Sequence, residues 1–239
     1  MKDQYFGDAR DYFKYDVLEA ILLAYPGLDQ LTCIWMLTPP DATGQGRVPF
    51  VPDPELPELT SFFRERQDPT HRRVAEMPTY LGRHGHSVFS YRDDQADFSN
   101  LARSMYFRDI PATALIASLV FFDPDNGLEP TRASEKHLLY SELVDIVDRM
   151  DDTSVVVIFQ YFRREPSFWE GMGARIAGRL GHSVLWIVEP AVGFYVIPKE
   201  TTKLRLLWSV LDAVSGRHTP RGRGRRRVGM STPPAVAIP

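Results

Sequence analysis

The apolar positions of the chain recur in two periods. Between residues 10 and 25, Tyr15, Leu18, Ile21, Leu22 and Tyr25 fall three and four apart, which predicts an amphipathic helix ended by Pro26 and Gly27. The run "LTCIWML" then reads as a buried strand stopped by Pro39 and Pro40, and the Pro-, Gly- and Asp-dense stretch 39–57 predicts a long loop. Short helices over 59–66 and 72–81 lead to the strand "HSVFSY", with Asp93 and Asp94 at its exit. A helix over 97–106 precedes the strand "SLVFFD". Ser134 can cap a helix reaching Met150, with Leu139, Leu143, Ile146, Val147 and Met150 on its inner face. "SVVVIFQYF" is rich in β-branched residues and predicts a central strand. After a helix over 166–180, "SVLWIVE" and "GFYVIP" are close enough to form a hairpin, and a helix over 201–214 follows.

Strands alternating with helices predict an α/β fold with a mostly parallel sheet, helices on both faces and a C-terminal antiparallel hairpin. In such sheets ligands gather beyond the carboxyl ends of the strands. The polar clusters of this chain fall at those ends.

Composition narrows the class. At 239 residues, with 44% hydrophobic and 25% charged residues, the chain can bury a full core as one domain. Cys33 is the single cysteine, so no intrachain disulfide forms and a buried structural thiol is expected. The start of the chain carries no apolar targeting segment and the longest apolar runs are too short to span a bilayer, which predicts a cytoplasmic protein with no membrane partner. The net charge of −3 conceals an asymmetry: Arg217, Arg221, Arg223, Arg225, Arg226 and Arg227 lie after Gly216 with no acid among them. Residues 1–216 are expected to be a single domain, and 217–239 a disordered Arg-rich tail that either gathers nucleic-acid phosphates or is simply solvated.

The acidic corner "DPDNGLE" carries the strongest chemical signal. Asp123, Asp125 and Asn126 follow a buried strand, and Gly127 permits a turn that a side chain would resist. Asp123 and Asn126 can accept from and donate to a substrate amine, with Asp125 beside them. Alternatively Asp123, Asp125 and Glu129 supply oxygen ligands to Mg²⁺ or Mn²⁺, and Asp125, Asn126 and Gly127 also suit a plain surface turn. Gln160, Tyr161, Phe162 and Arg163 leave the next strand and offer stacking rings and a phosphate contact, or else core packing with solvated arginines. Near the start, Asp8 or Asp11 fits a helix cap and Lys14 reads as an exposed residue one turn inside. The six histidines show no zinc spacing, and neither a G-x-S-x-G elbow nor a P-loop occurs.

These corners, taken in order, resemble distantly the bacterial methyltransferases that modify N6 of an adenine in 23S ribosomal RNA. "FGDARDYFKY" places Gly7, Asp11 and Lys14 on that family's A-G-N-x-x-D-x-x-K-H segment, and "TGQG" echoes its glycine loop at Gly44 and Gly46. Asp123 and Pro124 stand on the first two residues of its D-P-P-Y motif. The resemblance implies a Rossmann-like fold and S-adenosylmethionine bound by Lys14, Gly44, Gly46 and Asp93. It also implies a target amine on Asp123 and a nucleic-acid substrate. Asp125 and Asn126 replace the second Pro and the Tyr, so the stacking ring is missing from its usual place, and Tyr161 or Phe162 would have to supply it. The chain also looks like a group of uncharacterised bacterial proteins sharing D-P-D-N-G and Q-x-F-x-R signatures, which implies no activity. The leading expectation is an S-adenosylmethionine-dependent N-methyltransferase. The alternatives are a metal-dependent nuclease or phosphodiesterase and a non-catalytic nucleic-acid-binding protein.

Overall fold

A computed structural model of the chain describes residues 3, 6–39, 49–66, 72–93, 98, 102–217 and 226–234. In chain order the elements are α1 (Ala9–Ala24), β1 (Gln30–Trp35), α2 (Pro57–Glu65), α3 (Met77–Leu81), β2 (Ser87–Tyr91), α4 (Arg103–Arg108) and β3 (Ser118–Asp123). There follow α5 (Tyr140–Arg149), β4 (Val155–Tyr161), α6 (Phe168–Leu180), β5 (Val184–Val188), β6 (Val192–Pro198), α7 (Leu204–Gly216) and β7 (Arg227–Ser231). The strands form one mixed sheet in the order β2-β1-β3-β4-β6-β5-β7. Strands β2, β1, β3 and β4 are parallel, and β6 runs antiparallel to both β4 and β5. The expected α/β class, parallel core and C-terminal hairpin are all present. Among the described residues no helix is long and apolar enough to cross a membrane.

Each face of the sheet has its own core, because successive strand residues point to opposite sides. Cys33, Trp35, Leu119, Phe121, Val157 and Phe159 pack with α1, α2, α3 and α7, whereas Ile34, Val120, Phe122 and Ile158 pack with α4, α5 and α6. The buried thiol of Cys33 lies in the first core, and burial pushes its pKa well up. Such a group is a packing residue, as the sequence indicated.

Two helix starts differ from expectation. Ser134 does not cap α5; its hydroxyl pairs with His137 Nδ1 at 3.0 Å, and the helix begins at Tyr140. Residues 126–129 pair with 136–138 instead, and carboxylates serve the helix start. Glu142 accepts from the Leu139 N–H at 2.9 Å and Glu129 from the Tyr140 N–H at 2.6 Å. Helix α4 begins at Arg103, and 94–97 and 99–101 lie outside the described residues.

The larger correction concerns the C-terminal tail. Residues 227–231, expected to be disordered, add β7 to the sheet edge antiparallel to β5. Gly229 makes this possible: a Cβ there would lie 1.9 Å from Trp186 Cζ2, so only glycine lets the strand lie against the indole. Arg226, expected to be a solvated charge, is buried. Its Nη1 donates to Asp16 Oδ2 at 2.8 Å and to the Val214 carbonyl at 3.0 Å, its Nε to Glu189 Oε1 at 2.9 Å, and the guanidinium lies 4.2 Å from the Phe13 ring centroid. Arg217 also pairs with Asp16. Buried charges persist where partners replace water, and here two carboxylates, a carbonyl and a ring do so. Residues 218–225 and 235–239 lie outside the described residues.

Candidate functional site

Asp123 is the last residue of β3 and lies in register with Trp35, the last residue of β1. The chain leaves β1 toward β2 on one side, and β3 lies on the other. The boundary between β1 and β3 is therefore the switch point of the sheet, where ligands bind in this architecture. Alternation puts Asp123 on the same face as Leu119 and Phe121, the face that α1 covers.

Helix α1 is set by its own first turn. Asp8 is the N-cap and accepts from the Arg10 N–H at 2.8 Å and the Asp11 N–H at 3.2 Å. Asp11 Oδ2 accepts from the Gly7 N–H at 2.9 Å, and Asp11 Oδ1 from Lys14 Nζ at 2.8 Å, three residues on. Lys14 also donates to Asp123 Oδ2 at 2.7 Å, across 109 residues of chain. Its Nζ lies 4.9 Å from the Phe159 ring centroid and 5.7 Å from that of Phe121. Lys14, expected to be exposed, is thus 2% exposed and joins the helix start to the sheet edge.

The charge states follow from this packing. Burial would lower the pKa of Lys14, but Asp11 and Asp123 outweigh it and hold the ammonium above its ordinary value, so Lys14 acts as a cation and not as a base. For Asp11 burial prevails over the neighbouring ammonium and raises the carboxyl to about 6. Burial also raises the Tyr161 hydroxyl, which stays protonated while Arg10 sits 5.3 Å from its ring centroid. Among the described residues, three buried atoms of this cluster have no hydrogen-bond partner: Asp123 Oδ1, Asp8 Oδ2 and Arg10 Nε. An unpaired buried polar atom costs about 1–3 kcal/mol, so each is a place where a ligand group would be stabilised.

The loop after β3 is held rigidly. Thr38, just beyond β1, donates to Asp125 Oδ2 at 2.9 Å, and Lys136 Nζ stands 3.6 Å from the same oxygen, so the loops leaving β1 and β3 are tied together. Gly127 has φ +81°, and a Cβ on it would lie 2.4 Å from Gln160 Oε1. Gln160 is fully buried; its Oε1 accepts from the Leu128 N–H at 2.7 Å and its Nε2 donates to the Tyr161 carbonyl at 2.8 Å. Arg163 donates to the Leu128 carbonyl.

The structure therefore sorts the expected site residues. Lys14 and Asp123 are in direct contact, and Tyr161 stands near them. Asp93 is half-buried just beyond β2, one strand from β1, at the same edge of the sheet. Gly44 and Gly46 lie outside the described residues. Asn126 is exposed and its backbone N–H donates to the Lys136 carbonyl, so it is not joined to the buried Asp123. Gln160 and Arg163 are occupied in holding the β3 loop, and Phe162 presents a ring that is 42% exposed. The carboxylates of Asp123, Asp125 and Glu129 serve Lys14, Thr38 and the start of α5 respectively, and among the described residues no three His, Cys, Asp or Glu side chains gather to hold a metal ion. Asp8 and Arg10 were not expected in the site, since capping alone accounts for an Asp before a helix. The spacing of Asp11 and Lys14, one helical turn apart, was the legible signal.

No protein-family model matches the chain, and no curated protein matches it either.

Proposed function

We propose that the protein is a Rossmann-like, S-adenosylmethionine-dependent methyltransferase acting on an amine of a nucleic-acid base. The observation that carries this reading is the carboxylate of Asp123, fixed through one oxygen by Lys14 and unpartnered at the other, at the switch point of the sheet. The insertion of antiparallel β6 between β4 and β5 beside a parallel core is compatible with such a fold.

The donor set fits the cofactor. Asp123 Oδ1 and Asp8 Oδ2 are buried acceptors suited to N–H groups, whether of an α-ammonium or of an acceptor amine, and Asp93 would stand at the same edge of the sheet. When bound, S-adenosylmethionine supplies an electrophilic methyl group on a sulfonium. Asp123 accepts a hydrogen bond from the target amine, so that the nitrogen lone pair is aimed by a group that cannot itself rotate, because Lys14 holds it. The gain is chiefly one of position, and it is largest when the orienting group is already fixed. Lys14, always cationic, holds Asp123 Oδ2 and leaves Oδ1 to the amine. Phe162, exposed beyond β4 and packed edge-on to Phe168 of α6 at 5.7 Å, would offer an accessible ring to a base.

Calorimetric titration with S-adenosylhomocysteine tests the reading directly. Heat with unit stoichiometry is expected for the wild type and, because Asp123 serves the acceptor amine, is retained in Asp123→Asn while methyl transfer is lost. No heat at millimolar ligand with folded protein would remove the proposal.

A further inference from the structure

The loop that leaves Asp123 lines, farther along, a second concavity. A cavity of about 300 Å³ is bounded by Glu129, Pro130, Thr131, Tyr140, Arg175 and Arg179. Arg175 and Arg179 are one turn apart on α6, so both guanidiniums project from one face of the helix. Tyr140 is 5% exposed, its hydroxyl faces the Arg175 guanidinium, whose charge and hydrogen bond counter the rise in pKa that burial causes, and the Arg179 guanidinium lies 4.6 Å from its ring centroid. One carboxylate, Glu129, lines the cavity, and its Oε1 is engaged by the Tyr140 N–H. Arg163 stands close by: burial lowers the pKa of its guanidinium, and Arg175 adds to that lowering by like-charge repulsion. The lining is therefore net positive, with a buried hydroxyl donor at its wall.

We propose that this cavity is a phosphate-binding site, in which Arg175 and Arg179 grip the anion and the Tyr140 hydroxyl donates to one of its oxygens. Two guanidiniums from one helix face match the spread of phosphate oxygens, and a phenol offers the neutral donor that a third charge would not. The phosphate belongs either to a polynucleotide backbone or to a small phosphorylated molecule. The site stands without the methyl-transfer reading, since it involves neither Asp123 nor a cofactor.

The full chain is titrated with inorganic phosphate, with a mononucleotide and with a fluorescein-labelled single-stranded 12-nucleotide RNA, by calorimetry for the first two and by anisotropy at several salt concentrations for the third. Binding of at least one probe is expected, with the Arg175→Ala and Arg179→Ala double variant about tenfold or more weaker and Tyr140→Phe weaker by a smaller factor. Both arginines are exposed on a helix that alanine favours, so the double variant should fold. If the RNA is the source, the slope of log affinity against log salt falls by about two in the double variant. If a small molecule is the source, the mononucleotide or phosphate binds as tightly as the RNA. Equal affinity and equal slope in wild type and double variant, or binding by none of the three probes, overturns the site. Because these titrations omit the cofactor, their failure leaves the S-adenosylhomocysteine result untouched, and the converse holds.

Discussion

Helix α1 carries two buried ion-pair clusters that begin two residues apart, and they are completed differently. At Asp16 the partners come from the C-terminal end of the chain: Arg226 and Arg217 meet the carboxylate, Glu189, the Val214 carbonyl and the Phe13 ring meet Arg226, and among the described residues only its Nη2 is left without a hydrogen-bond partner. At Lys14 the partners are Asp11 and Asp123, and the cluster is left with Asp123 Oδ1, Asp8 Oδ2 and Arg10 Nε unpartnered. The first cluster joins β5, α1, α7 and the approach to β7. The second lies at the carboxyl edge of the sheet, at its switch point. Each cluster leaves a guanidinium N–H open, but only the second leaves carboxylate oxygens open, and acceptors kept open at a cost are what a cluster meant to receive an N–H ligand requires.

The largest effect is expected from removing the cation of the Asp16 cluster. Arg226→Met leaves Asp16 with Arg217 alone and Glu189 without its buried partner, and should lower stability by about 3–5 kcal/mol. Urea unfolding with an unchanged slope and a much lower midpoint is the expected record. A midpoint shift under about 1 kcal/mol would mean that Arg226 is a surface residue energetically. Next in size is Gly127→Ala, which demands a left-handed alanine and a contact of 2.4 Å with Gln160. It should cost about 2–3 kcal/mol and loosen the loop that carries Asp125. Asp123→Asn keeps an oxygen for Lys14 and leaves it Asp11 as counter-charge, but it removes one buried charge and leaves an amide N–H without an acceptor, so stability should fall by about 1–3 kcal/mol, less than at Arg226. Methyl transfer, in contrast, should be lost, and an active Asp123→Asn would remove Asp123 from the chemistry. Stability and activity thus separate at Asp123 and not at Arg226.

The sheet was legible because its strands are written as unbroken apolar runs, and "SLVFFD" and "SVVVIFQYF" need no context to be read. Strand β7 was not, since "RVGMS" has one glycine, two apolar residues and a neighbouring arginine, and becomes a strand only because Trp186 needs covering and Asp16 needs a cation. The same reasoning explains Lys14. A lysine in the first turns of a helix is ordinarily solvated, and nothing local indicates that β3 will place Asp123 2.7 Å from its ammonium. Asp123 itself could be located, because a carboxylate ending a buried strand of a parallel sheet stands at the edge where ligands bind. Its partners come from 109 residues away, and only the fold brings them together.

The open cluster can be sharpened by pH. Asp11 titrates near 6 in the folded chain and near 3.8 when solvated, so between those values the folded state holds more protons than the unfolded state. Stability contributed in this way is complete below the unfolded value and is lost as pH rises through the folded one. Asp8 and Asp16 are shifted in the same direction by burial, so the wild-type profile sums several groups, and subtraction is needed to isolate Asp11. Asp11→Asn cannot take up the proton. The stability of wild type relative to this variant should therefore increase as pH falls from 7 to 5, and urea midpoints at three pH values measure it. A difference that stays flat would show Asp11 to be fully ionised throughout. The smallest effect belongs to Phe162→Ala, where an exposed ring is removed from the end of β4 and stability should move within about 0.5 kcal/mol. If that ring stacks on the acceptor base, KM for the nucleic acid rises while S-adenosylhomocysteine binding is unchanged, because the substitution lies outside the Lys14 cluster. An unchanged KM would return Phe162 to the group of ordinary exposed aromatics and leave Asp123 as the sole orienting group on the acceptor side.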